Sequence, residues 1–85
     1  MRQLIRAKHY VVSHHAAEEL DDDDLTIFDL ESIILGGSII ERQHDAQTGE
    51  SKHVVKGFTL EGRDAEAVVK IGFTGTLIVI TVYVV

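Results

Sequence analysis

Residues 26–41 read TIFDLESIILGGSIIE, and this stretch decides the fold. Thr26 sits where a helix N-cap belongs, and Asp29 three residues later completes the reciprocal pattern of a capping box. An acid in the first turn also suits the helix dipole. Ile27, Leu30, Ile34 and Leu35, with Phe28 near the start, recur at helical spacing and form an apolar stripe. Gly36-Gly37 supplies the expected stop, in the left-handed conformation that glycine takes at helix C-termini. The period changes directly afterwards, and Ser38 opens a run that reads as strand. The chain therefore divides into a mainly helical part, 1–37, and a sheet, 38–85, within one domain.

Toward the N-terminus the helical signals are shorter. Arg2 to Lys8 is compatible with a short helix whose Leu4 and Ile5 face inward. Tyr10-Val11-Val12 is a β-favouring triplet and reads as a brief extended piece. Ser13 is placed to cap a second helix carrying Ala16, Ala17 and Leu20. The run Asp21 to Asp24 should end it, because aspartate is a poor interior helix former and like charges repel.

Toward the C-terminus four strands are expected. They are Ser38–Gln43, Lys52–Leu60, Ala65–Phe73 and Leu77–Val85, separated by turn residues at His44–Ser51, Glu61–Asp64 and Thr74-Gly75. In the third, Val69, Ile71 and Phe73 share one face, while Glu66, Val68 and Lys70 share the other. Short connections imply successive hairpins. The last strand carries no charge and is apolar on both faces, so it belongs in the middle of the sheet or under a second subunit. The expected fold is α+β, with two or three N-terminal helices packed on one face of a four-stranded antiparallel sheet.

Composition narrows the function. The 85 residues hold 8 Lys+Arg against 14 Asp+Glu and no cysteine, so a disulfide framework and a thiolate zinc site are excluded. Charge is segregated. Arg2, Arg6 and Lys8 stand without acids in residues 1–12, whereas residues 13–31 carry eight acids and no Lys or Arg. This acidic balance argues against a duplex-DNA binder, which needs a basic field to neutralise phosphates. The longest apolar run, Leu77 to Val85, is far short of the roughly 20 residues of a spanning helix. No signal-peptide pattern follows the N-terminal bases, and a cytoplasmic location is expected.

Three stretches together carry a family resemblance: YVVSHHAAEEL at 10–20, TIFDLESIILGGSIIE at 26–41, and IVITVY at 78–83. Their order resembles domain-of-unknown-function family 4258, small bacterial proteins with a Ser-x-His-Ala motif, a capped helix ending in glycine, and a final strand reading Thr-Val-Tyr. On this sequence the motif positions are Ser13, His15, Thr81 and Tyr83. The family is similar in element order to the RelE-like and BrnT-like toxins. That similarity implies helices on an antiparallel sheet, messenger-RNA cleavage by polar residues of the open sheet face, and pairing with an antitoxin. Two features depart from it. Glu19 stands where the family places an arginine four residues after His15, and the chain is acidic where the toxins are basic.

Under this resemblance the candidate catalytic set is His53, Tyr83, Arg42, Arg63 and Lys70. Cleavage through a 2′-hydroxyl needs a base, an acid and positive charge for the phosphate. His53 or Tyr83 suits proton transfer, and Arg42, Arg63 or Lys70 suits charge stabilisation. This reading makes the protein a metal-independent endoribonuclease, with no cofactor. A weaker metal candidate is His15 with Glu19, four residues apart on one helix face; an HExxH motif is absent. The alternative is a non-catalytic module that forms a homodimer through its apolar final strand or docks a partner on a sheet edge. The two readings stay open at the level of sequence.

Overall fold

The computed structural model describes residues 1–72 and 75–85, leaving aside the Arg2 side chain. The N-terminal part holds α1 (Arg2–Arg6), β1 (Tyr10–Val12), α2 (His14–Asp22) and α3 (Ile27–Gly36). The sheet continues with β2 (Ser38–His44), β3 (Ser51–Phe58), β4 (Asp64–Ile71) and β5 (Leu77–Val84). The assignment of Phe73 to a face of the third strand, and of Thr74 to the turn after it, lies outside the described residues.

Local chemistry accounts for the helix ends. Ser13 Oγ accepts the Ala16 N–H at 3.1 Å and starts α2. The aspartate run ends it, with Asp24 in a left-handed conformation at φ 56°. The α3 capping box forms as expected: Asp29 Oδ2 accepts the Thr26 N–H at 2.9 Å, and Thr26 Oγ1 accepts the Asp29 N–H at 3.3 Å. The other carboxylate oxygen of Asp29 accepts the Leu60 N–H at 3.0 Å and so ties the helix start to the β3–β4 turn.

The C-terminal stop of α3 differs from the expectation. Gly37 has φ −89° and ψ 175°, an extended conformation open to any residue. Glycine is required there for space: a Cβ on Gly37 would lie 2.3 Å from the Ile33 carbonyl oxygen and 2.6 Å from that of Lys56. A Cβ on Gly57 would meet the same Ile33 oxygen at 2.3 Å. The two glycines let the end of α3 press against β3.

The sheet has five strands in the order β1-β5-β4-β3-β2. The expected four-stranded antiparallel sheet is thus corrected to a five-stranded mixed one. β2 to β5 pair antiparallel, and β1 pairs parallel with β5 through Tyr10↔Leu77, Val11↔Ile78 and Val12↔Val79. Three residues carry too little alternation to announce a strand, and parallel pairing requires a long crossover that leaves no turn signal. β5 is interior, as its chargeless sequence requires.

All three helices bury side chains into one core. Ile5, Ala16, Leu20, Leu30, Ile33 and Ile34 meet Val55, Ala65, Ala67, Val69, Leu77, Val79 and Val82. Two bulges interrupt the ladders. Ile40 is the extra residue of β2 between the pairs Ile39↔Val55 and Glu41↔Val54. Ile80 is the extra residue of β5 between Val69↔Val79 and Val68↔Thr81. Among the described residues no helix is long and apolar enough to cross a membrane.

Candidate functional site

The register assigns each candidate side chain to a face. Arg42 pairs with His53 and His53 with Val69, which is fully buried under the helices. Directly opposed residues share a face, so Arg42 and His53 lie on the helix side. Lys70 follows Val69 and pairs with Lys52, while Tyr83 pairs with Glu66, between buried Ala65 and Ala67. Those two lie on the open side. Arg63 belongs to neither; it sits in the β3–β4 turn, where its guanidinium donates to the Asp23 carbonyl at 3.3 Å. The five residues are therefore distributed over two faces and a turn, and the fold does not gather them into one cluster.

On the helix side, His53 Nδ1 is buried without a hydrogen-bond partner. Burial holds its imidazole below the ordinary value, and the Arg42 guanidinium and the amino-terminal charge push in the same direction. A groove of about 680 Å³ opens between α1 and β2, with Arg6 and Arg42 in its lining. The sequence signal for Arg6 was the acid-free basic segment 1–12, although nothing in it indicated a position beside β2.

On the open side, Lys70 Nζ pairs with Glu50 at 3.1 Å. The Tyr83 hydroxyl donates to Glu66 at 2.7 Å, which raises its pKa, with burial adding to the effect. Around them runs an uncovered apolar row. Val54 pairs with Val68, and the bulged Ile40 and Ile80 stand at the two ends of that pair. Val11 and Ile78 extend it at the β1–β5 margin. None of these six residues belongs to the helix-covered core or packs against it.

Two of the motif positions, Ser13 and Thr81, belong to a structural clasp. β1 covers only the first part of β5, leaving the backbone beyond Val79 without a strand on that side. The Ser13 N–H donates to the Val79 carbonyl at 2.9 Å, and Ser13 Oγ donates to the Ile80 carbonyl at 2.9 Å. Glu19 Oε1 then accepts the Val82 N–H at 3.0 Å and the Thr81 hydroxyl. α2 thus completes the edge that β1 leaves open. His15 is largely exposed and stands 3.4 Å from the same Glu19 oxygen. Among the described residues no three His, Asp or Glu side chains are grouped as a metal site would need.

Two further polar groups were not singled out from sequence. Glu31 on α3 accepts from Lys8 Nζ and from the Tyr10 hydroxyl, both at 2.5 Å. Burial first, and then Glu31, push the Tyr10 phenol up to about 12.

The profile of one family, described as Domain of unknown function (DUF4258), matches residues 12–84. No curated protein and no solved structure matches the chain.

Proposed function

Because the chain belongs to that family of unknown function, we propose from its geometry that it acts as a cytoplasmic, non-catalytic interaction module that self-associates through its open sheet face. The observation that carries this reading is the uncovered row Ile40, Val54, Val68 and Ile80, continued by Val11 and Ile78. Val11 and Ile40 are each 54% exposed. Val54, Val68, Ile78 and Ile80, between them, are half-buried. Apolar side chains gathered on an uncovered sheet face are the usual mark of an interaction site.

A second copy is the partner that fits. The row crosses the sheet near its middle, so a two-fold axis along it lays the same side chains on one another, as an isologous contact requires. Four strands at a spacing of about 4.8 Å and eight residues of about 3.3 Å each give a face of about 500 Å². Two such faces bury about 1,000 Å², the small end of specific interfaces. The alternative route through the margin of β5 has no support, since β1 and the Ser13–Glu19 clasp occupy it.

Sedimentation equilibrium over a wide concentration range tests this reading. The wild type should reach the dimer mass and Val68→Lys should remain monomeric with an unchanged circular-dichroism spectrum. A wild type that stays monomeric throughout would overturn it.

A second reading, RelE-like ancestry with RNA on the same open face, draws support from Lys52, Lys56 and Lys70 sharing that face with Tyr83. Four consecutive antiparallel strands under helices are consistent with that ancestry. It is weakened by chemistry. The Tyr83 phenol is held in its protonated form by Glu66, and the imidazole suited to act as base lies on the far side of the sheet. An antitoxin-like partner belongs to this reading and would cover the same lysines.

A further inference from the structure

We infer that the groove between α1 and β2 binds a small organic anion, whose oxyanion is held by the Arg6 and Arg42 guanidiniums. This site is on the opposite side of the sheet from the self-association surface and is independent of it. Its volume, about 680 Å³, falls in the range of small-molecule sites.

Charge is the first argument. The protein carries a net charge of −6, yet no carboxylate lines this groove. Among the described residues neither Arg6 nor Arg42 makes an ion pair or a side-chain hydrogen bond. In a chain with 14 acids and 8 bases, two guanidiniums left without carboxylates in one concavity leave their donors for an external oxyanion.

Shape and polarity give the second. Gln3 adds a side-chain donor to the same lining. Ile34, Ile39 and Val55 form an apolar wall, so the groove suits a ligand with an apolar body as well as a charged end.

Phosphate monoesters and carboxylates share this chemistry, and two probes separate them. Amide chemical shifts of the full chain are followed while inorganic phosphate is added in one arm and hexanoate in the other. Saturable shifts at Gln3, Ser38 and Ile39 are expected with at least one probe. A response to phosphate alone assigns a phosphate ester, and a response to hexanoate alone assigns a carboxylate with an apolar tail. Arg42→Gln, on an exposed edge strand, should weaken binding by about tenfold or more. Lys56→Gln, on the other face, should leave it unchanged. Shifts that fail to saturate with both probes, or that survive Arg42→Gln at full affinity, would overturn the site.

Discussion

Glu19 reaches from α2 to the backbone of β5, where its Oε1 accepts the Val82 N–H at 3.0 Å. The carboxylate takes the place of a neighbouring strand. It satisfies a donor that β1, only three residues long, cannot reach.

Removing that acceptor should destabilise the fold. Glu19→Ala leaves the Val82 N–H and the Thr81 hydroxyl unpaired in a half-buried setting, at a cost of about 1–3 kcal/mol. Ser13→Ala removes both the α2 cap and the bond to Ile80, and should cost about 1–2 kcal/mol. Thermal denaturation followed by circular dichroism reads both, and an unchanged midpoint for Glu19→Ala would contradict the clasp.

The glycines at the α3–β3 contact should differ sharply in tolerance. Gly57→Ala forces a Cβ to 2.3 Å from the Ile33 carbonyl and is expected to cost about 3 kcal/mol or more. Gly36→Ala meets no atom within 4 Å, lies in the helix, and should be neutral or stabilising by up to about 1 kcal/mol. Urea titration of the two variants decides the point, and equal midpoints would contradict the close approach.

Acid should weaken the fold in two stages. Asp29 is held below the ordinary carboxylate range by the Thr26 and Leu60 N–H groups, and Glu31 by hydrogen bonds from Lys8 and Tyr10. The unfolded chain binds those protons more strongly, so their contribution is complete above the ordinary carboxylate pKa and is lost as pH falls through the depressed folded values. His53 acts at higher pH in the same direction. Its unfolded imidazole takes a proton near 6.5 and the folded one only at lower pH, so stability declines as pH falls from the unfolded value toward the folded one. His53→Gln should remove the upper stage and keep the lower. Urea midpoints above, between and below the two windows would show it; a single stage in the wild type would contradict the assignment.

Incubation with messenger RNA should give no cleavage at any ratio of protein to RNA. His53→Ala and Tyr83→Ala should behave as the wild type does, with or without EDTA. Cleavage lost in Tyr83→Ala but retained in His53→Ala would instead favour a ribonuclease confined to the open face.

Much of the fold was legible because its signals are local. Thr26 and Asp29 are three residues apart, and their reciprocal bonds form as the spacing requires. The chargeless β5 announced its interior position for the same reason. What escaped depends on long-range geometry. Tyr10–Val12 becomes a strand only because β5 offers it a parallel partner 67 residues away, as the pair Tyr10↔Leu77 shows. Gly37 looked like a conformational stop and proved to be a contact residue, since the carbonyls it avoids belong to Ile33 and to Lys56 on another strand.

The candidate site was less legible for a sharper reason. A sheet side chain changes face with every residue, so grouping Arg42, His53, Lys70 and Tyr83 requires the register of three ladders. Two of those ladders contain bulges, at Ile40 and Ile80, which shift the count by one. No pattern within a single strand records that shift. The acid-free N-terminal segment pointed to positive charge, while its position beside β2 came only from the packing of α1.

The central claim is that two copies meet through the open sheet face, and isotope-filtered NOE spectroscopy tests it most directly. A mixed sample of labelled and unlabelled chains should show intermolecular contacts among the methyl groups of Val54, Val68 and Ile80. Intermolecular contacts confined to the β2 edge, or none in a sample concentrated enough to associate, would contradict the account.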